Sequence, residues 1–157
     1  DTYGLQIVMA DMNNDSNHFI NCVGGSTARF KVRSNGNFVN TNNSYGAISD
    51  EKLKENIVDS GSQWDDIKAL KVRKYSLKED KLDAPNKLGV IAQELESSGM
   101  NGLVIDTPDL DNDLKNLGTV TKTVKYSILY MKAIKALQEA MTRIETLESK
   151  VKTLEGG

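Results

Sequence analysis

The sequence predicts an α+β protein with a β-rich N-terminal segment, a body of small sheets and short helices, and a long C-terminal helix. Three observations support this fold class. Short alternating apolar runs separated by turn residues occupy residues 1–48, and mixed helical and strand patterns follow. A single heptad pattern then runs unbroken from Tyr130 to Leu154. The length of 157 residues suits one domain, or one small domain with an appendage.

The composition argues against several classes of function. The net charge is −2 and no basic patch is interleaved with aromatics, so nucleic-acid binding is not expected. No apolar run approaches the roughly 20 residues that a membrane-spanning helix needs. The single cysteine, Cys22, excludes an intrachain disulfide framework and a multi-cysteine zinc site, and we expect no metal or cofactor. With one histidine, a Ser-His-Asp triad would require His18 itself.

The density of charged residues rises abruptly near residue 48. Residues 1–48 hold nine asparagines but only six of the Lys, Arg, Asp and Glu residues of the chain. Such a shift in composition marks a candidate domain boundary. We therefore expect a β-structured segment at 1–48, an α+β body at 49–125 and a C-terminal helix at 126–157.

The first 48 residues are predicted to form short strands. Asn35 and Gly36 favour a tight hairpin turn, because both tolerate positive φ. Strands this short bury little surface alone, so we expect several chains to combine here into a fibre-like β-shaft. The runs that predict strands are Gly4–Met9, His18–Val23, Ala28–Arg33 and Phe38–Val39.

The body is predicted to mix helices and strands. Ser49 followed by Asp50 and Glu51 is typical of a helix start, with a hydroxyl cap and acids in the first turn. Leu53 and Ile57 would then share one face of that helix. The patterns that follow predict a helix around Trp64–Leu70, a strand at Arg73–Lys78, a strand and helix over Leu88–Glu96, and strands at Leu103–Ile105 and Thr119–Val124.

The C-terminal segment has the clearest periodicity. From Tyr126 to Glu155 it contains no Gly or Pro, and apolar residues follow a heptad repeat typical of a coiled coil. Ile134 and Met141 widen the stripe at position e, which favours an intertwined homotrimer over a dimer. The alternative is one amphipathic helix packed on its own domain. The predicted seam consists of Tyr130, Leu137, Ile144 and Val151 at position a, and of Ala133, Ala140, Leu147 and Leu154 at position d.

Four sequence motifs follow one another in the body and the C-terminal segment. They are the opening Ser49–Ile57, the strand Val72–Leu77, the Gly-x-x-Ala-Gln-Glu signature within Leu88–Leu95, and the terminal helix from Tyr126. In this order they resemble the endosialidase-type intramolecular chaperone domain, and the resemblance covers about residues 47–155. That domain lies at the C-terminus of phage tailspikes, tail fibres and neck appendages, and a relative occurs in the eukaryotic myelin regulatory factor.

The resemblance implies a self-cleaving folding aid without a cofactor. Such a domain trimerises, helps the upstream chains to fold into an intertwined β-structure, and then cuts itself off immediately before the motif serine. Carried over, the scissile bond is Ile48–Ser49, the nucleophile is Ser49 and the assisting base is Lys54. The partners are two further copies of the chain and the upstream fibre or spike, with no nucleic acid and no membrane. The precursor would be assembled in the cytoplasm of a bacterial host, the fibre would join the virion tail, and the chaperone part would be released.

Chemical reasoning sets conditions on this cleavage. A serine hydroxyl is a poor nucleophile until a base takes its proton, and lysine can replace histidine in that role. A lysine acts as a base only when neutral, a state that burial or a neighbouring cation such as Lys52 would favour. On a regular helix Ser49 and Lys54 would point about 140° apart. A direct pair therefore requires Ser49 to precede the helix; otherwise Lys54 acts across chains.

Each of these residues also has a purely structural interpretation. Ser49 could be a plain helix cap, and Lys54 could be a solvated lysine. Gln93 and Glu94 could support the site or contact another protomer, or could simply begin a helix. The possible supporting residues are Asp50, Lys52, Gln93 and Glu94.

Two other functions remain open at this point. The chain could be an uncut trimerisation or host-adhesion tip that stays on its fibre. It could also be the cleaved domain of a membrane-tethered transcription factor, although no membrane-spanning or DNA-binding segment is recognisable in the sequence.

Overall fold

The computed structural model describes residues 5, 7–9, 14–80, 82–111 and 114–156. The chain divides into two compact units, Asp1–Ile57 and Val58–Gly157. Within the described residues, the first contains a three-stranded sheet and a 3₁₀ turn, and the second contains two antiparallel strand pairs, three α-helices and a 3₁₀ helix at Asn101–Leu103. The predicted α+β class, with small sheets and a C-terminal helix, is therefore confirmed.

The sheet of the first unit is an antiparallel meander. Strands β1 (His18–Gly24), β2 (Thr27–Arg33) and β3 (Phe38–Asn40) lie in the order β1-β2-β3. Gly25 and Gly36 form the two connecting turns with φ of 63° and 83°, a region that favours glycine. The three strands and the Asn-Gly turn agree with the sequence prediction.

This sheet has no core of its own. None of the described residues of the first unit is buried, and the Phe38 side chain remains 60% exposed although its ring contacts that of Phe30. Such a sheet gains little stability from apolar burial within one chain. Of the predicted run Gly4–Met9, Gly4 and Gln6 lie outside the described residues, and its described members form no strand.

The second unit is built around a small apolar core. Its centre is formed by Leu95, Met100, Leu103 and Leu129, which are at most 6% exposed. The elements around it are α1 (Trp64–Ala69), β4 (Arg73–Tyr75) paired with β5 (Lys87–Gly89), α2 (Ala92–Ser97), β6 (Val104–Leu110) paired with β7 (Asn116–Val124), and α3 (Tyr126–Glu155).

The β6–β7 hairpin is connected to α2 by an ion-pair network. Lys122 on β7 donates hydrogen bonds to Asp106 on β6 and to Glu96 on α2, both at 2.8 Å. These two carboxylates, Asp106 first, raise the pKa of Lys122 above its usual value. The network fixes the hairpin beside the core.

Helix α1 is docked on α3 by polar contacts around its first turn. The Glu139 carboxylate on α3 accepts a hydrogen bond from the Ser62 hydroxyl at 2.7 Å and from the Gln63 backbone N–H at 2.8 Å. Backbone amides at a helix start have no partner within the helix, so a carboxylate there satisfies them and suits the helix dipole. The Gln63 side chain, at the N-cap position, makes no capping hydrogen bond. Glu139, far along the chain, supplies the cap instead.

Two further contacts hold the same pair of helices. Lys132 donates a hydrogen bond to Asp66 at 2.6 Å, and the Arg143 guanidinium lies 3.8 Å from the centre of the Trp64 ring. A cation over an indole face is attracted by the ring quadrupole. The face of α3 that meets α1 therefore includes Lys132, Glu139 and Arg143.

The predicted seam lies beside this face on α3, and most of its residues are exposed. Leu129 and Ala136 are the buried residues of this helix, whereas Leu137 is 61% exposed and Leu147 is 59% exposed. The residues that α3 buries, Leu129 and Ala136, thus lie beside the heptad stripe and not within it. No helix in the described part of the chain has the length and apolarity to cross a membrane.

Candidate active site

The predicted helix at Ser49 is a single turn of 3₁₀ helix at Glu51–Leu53. Asp50, and not Ser49, caps it, since its carboxylate accepts a hydrogen bond from the Lys52 backbone N–H at 3.1 Å. The Lys52 ammonium also lies 3.2 Å from the Asp50 carboxylate. The expectation of a longer helix with Ser49 as its cap was wrong. Leu53 would need a surface on which to pack, and it is 66% exposed.

This short turn brings Ser49 and Lys54 together. Asp50 and Lys54 flank the turn in extended conformation, with ψ of 132° and 148°. The chain between the two side chains is therefore one turn flanked by extended residues and not a continuous helix. Lys54 Nζ donates a hydrogen bond to Ser49 Oγ at 2.6 Å within the same chain. Ser49 thus precedes the helical turn, which is the condition stated above for a direct pair within one chain.

The pair is open to solvent. Ser49 and Lys54 are exposed, and so are three apolar residues close to them in the sequence: Ile48 at 85%, Leu53 at 66% and Ile57 at 63%. One chain alone does not exclude water from the Ser49–Lys54 contact.

Gln93 and Glu94 lie on α2 in the second unit. Gln93 is exposed, and its backbone carbonyl accepts a hydrogen bond from the Ser97 hydroxyl at 2.8 Å. Glu94 accepts from Arg73 Nε at 2.9 Å and from a terminal nitrogen of the same guanidinium. This two-point contact with Arg73 lowers the pKa of Glu94 and ties α2 to β4.

Neither the contact of Arg73 with Glu94 nor the reason for Gly89 in the Gly-x-x-Ala-Gln-Glu signature was predicted from the sequence. A β-carbon on Gly89 would lie 2.8 Å from the Tyr126 hydroxyl and 3.2 Å from the Tyr75 ring. The same hydroxyl accepts a hydrogen bond from the Val90 backbone N–H at 3.2 Å. A glycine inside a strand pattern often marks such a close approach, so this signal was available in the sequence.

The site and the fold together consist of the Ser49–Lys54 pair, followed along the chain by a small α+β body. Residues 49–104 match the profile of a peptidase family described as chaperone of endosialidase. A search of curated proteins gave no significant match. The matched segment begins at Ser49 and includes the Gly-x-x-Ala-Gln-Glu signature, but it ends before α3. The resemblance found in the sequence is thereby confirmed for this segment, and the family supports a role as an intramolecular chaperone.

No group of His, Cys, Asp and Glu suited to a metal ion occurs among the residues whose placement is described.

Proposed function

We propose that this chain is an intramolecular chaperone of a phage tail fibre or spike that assembles as a homotrimer. It folds the β-structured segment ahead of it and releases itself by cutting Ile48–Ser49. Ser49 is the nucleophile and Lys54 is the base. The single observation that carries the proposal is the 2.6 Å contact between Lys54 Nζ and Ser49 Oγ, at the residue where the family match begins.

The reaction proceeds in two steps, transfer of the acyl group to Ser49 Oγ and hydrolysis of the resulting ester. Neutral Lys54 takes the proton of the Ser49 hydroxyl, and Oγ attacks the carbonyl carbon of Ile48. The C–N bond breaks, the Ser49 nitrogen takes the proton back from Lys54, and an ester joins Ile48 to Ser49 Oγ. Water then hydrolyses the ester, which leaves a carboxylate on Ile48 and a free amino group and hydroxyl on Ser49. Because Ser49 is bonded to the carbonyl it attacks, correct geometry can supply roughly 7–11 kcal/mol of the barrier.

Assembly would complete the site. A lysine works as a base in its neutral form, which burial favours. Neither Ser49 nor Lys54 is buried by its own chain, and Ile48 and Leu53 beside them are exposed apolar residues. A neighbouring protomer that covers these residues would remove water from the pair. Cleavage would then follow trimerisation and not precede it.

The upstream β-segment is the folding client. The sheet β1–β3 has no buried residue among those described, so it requires other chains to cover its faces. The exposed seam of α3 offers a means to hold three such segments in register. Production in a bacterial host and incorporation of the released fibre into a virion follow from this assignment.

Cleavage is tested by denaturing gel and N-terminal sequencing of the purified full chain. The expected products have 48 and 109 residues, and the larger begins Ser-Asp-Glu-Lys. Ser49→Ala and Lys54→Met should each give one uncut band. The matched controls are Ser44→Ala and Lys78→Met, which change exposed residues outside the pair and should be cut normally. Two bands from Ser49→Ala would remove Ser49 as the nucleophile.

The second candidate is an uncut trimerisation or host-adhesion tip. The exposed seam favours it as strongly as it favours the chaperone. In that case the wild-type chain runs as one intact 157-residue species while its native mass is that of three chains.

A further inference from the structure

A groove between α1 and α3 lies next to the predicted seam. It has a volume of about 360 Å³ and is lined by Trp64, Ile67 and Lys68 from α1 and by Ala133, Ala136 and Leu137 from α3. The small side chains at 133 and 136 leave a depression on α3, and α1 forms its outer wall. Since Ala133 and Leu137 are also seam positions, the groove and the seam form one continuous surface.

We propose that Met141 of a second copy of this chain occupies this groove, so that α1 is part of the interface between protomers. The inference deepens the proposed function and rests on its parallel assembly through α3. In a parallel coiled coil, position e of one helix faces position g of its neighbour. Ala136 is at position g. The residue of the neighbour that faces it is at position e of the following heptad, and this residue is Met141. Met141 is 54% exposed within its own chain.

The charges farther along α3 favour the same parallel register. Arg143 and Lys150 are at g positions, and Glu148 and Glu155 are at the e positions that face them in a neighbour. Both pairs join opposite charges, which is how e and g residues select partner and orientation. Arg143 also contacts Trp64 of its own chain, with the guanidinium carbon 3.8 Å from the centre of the ring, and a guanidinium can stack on an aromatic ring while it donates hydrogen bonds to a carboxylate.

The rim of the groove is also complementary to the proposed occupant. Lys68 is the charged residue among those that line it. On α3, Glu145 lies one turn after Met141 and is therefore next to it on the helix surface. A flexible thioether suits an irregular apolar groove, and an acidic neighbour suits a basic rim. Both features are present in a second copy of this chain.

Native mass measurement of full-length variants tests the proposal. Met141→Lys should raise the concentration needed for half-maximal trimer assembly about tenfold or more, because a charge would enter an apolar groove. Met131→Lys is the matched control, since Met131 is 60% exposed on the same helix, close to the 54% of Met141, but lies at position b, outside the seam. Equal assembly of the two variants would overturn the proposal.

Cross-linking identifies the occupant directly. Two single-cysteine chains, Lys68→Cys and Met141→Cys, both also carrying Cys22→Ser, are refolded together and treated with a short bismaleimide. A linked pair of chains is expected, and it should be absent when Met131→Cys replaces Met141→Cys. A wild-type chain that is monomeric refutes the assembly in the proposed function. A wild-type trimer without the 68–141 link refutes only the assignment of the groove, whatever other segment occupies it.

Discussion

Lys54 and Ser49 of one chain are in direct contact, with Nζ donating a hydrogen bond to Oγ at 2.6 Å. The contact depends on the single 3₁₀ turn between them, which is capped by Asp50. If this is the pair that reacts, nucleophile and base come from the same protomer. Neighbouring protomers would then contribute burial and not a catalytic side chain.

Mixed assemblies of two inactive variants test this arrangement. Ser49→Ala and Lys54→Met chains are unfolded together, refolded and examined on a denaturing gel. Because each chain lacks one member of its own pair, no cleavage is expected in any mixed trimer. Appearance of the 48-residue and 109-residue products would show that Lys54 acts across chains. Refolded wild-type chain, which should be cut, controls for recovery of activity.

Gly89, in the Gly-x-x-Ala-Gln-Glu signature, packs closely against Tyr126, the first residue of α3. A β-carbon there would lie 2.8 Å from the Tyr126 hydroxyl, closer than non-bonded atoms of this kind approach. Gly89→Ala should therefore lower the free energy of unfolding by about 1–3 kcal/mol, as overpacking does. The measurement is urea unfolding followed by circular dichroism.

Gly102→Ala is the matched control for Gly89→Ala. Apart from its neighbours along the chain, no described residue places an atom within 4 Å of a β-carbon at Gly102, and Gly102 is not among the glycines with positive φ. This substitution should leave stability unchanged or raise it slightly, because alanine has fewer unfolded conformations than glycine. Equal losses at the two positions would contradict the packing role of Gly89.

Local patterns predicted the elements whose determinants are local. Strands β1 and β2 follow from alternation, their turns follow from glycines at positive φ, and α3 follows from its uninterrupted heptads. The helix expected at Ser49 failed for a tertiary reason. An apolar face stabilises a helix when it packs against other residues, and Leu53 and Ile57 remain 66% and 63% exposed.

The site was predictable in its residue types but not in its geometry. Spacing alone left open whether Ser49 and Lys54 meet, because the answer depends on one extended residue, Asp50, between Ser49 and the turn. The cap of α1 was out of reach for any local pattern, since Glu139 lies 77 residues from Ser62. The domain boundary at 48/49 and the trimer seam stay predictions.

Acid should loosen the contact between α1 and α3. The Ser62 hydroxyl and then the Gln63 backbone N–H hold the pKa of Glu139 below its ordinary value of 4.5. A lowered pKa means that the carboxylate stabilises this docking at neutral pH, and that the contribution is lost as pH falls below 4.5 toward the lowered pKa. Fluorescence of Trp64, the single tryptophan, reports on α1 during a pH titration.

The variant Glu139→Gln isolates this contribution from those of other carboxylates. It should shift the emission of Trp64 toward that of an exposed indole at neutral pH, and the difference from wild type should vanish in acid. Glu79→Gln, at an exposed position outside the α1–α3 contact, should titrate as wild type does. A constant difference between Glu139→Gln and wild type at every pH would refute the electrostatic explanation.

The end of α3 is expected to serve assembly and not the fold of the body. Every described residue from 144 onward is exposed, and its apolar residues belong to the predicted seam. A chain that ends at Thr146 lacks Leu147, Val151 and Leu154 but keeps the contacts of Glu139 and Arg143 with the α1 region. It should retain the Trp64 emission of the full chain while its native mass falls to that of one protomer.

Ending the chain at Gln138 instead removes both contacts and should release α1, with a red-shifted emission. If the chain ending at Thr146 also lost the native emission, the last turns of α3 would be supporting the body, and a seam reserved for other protomers would be excluded.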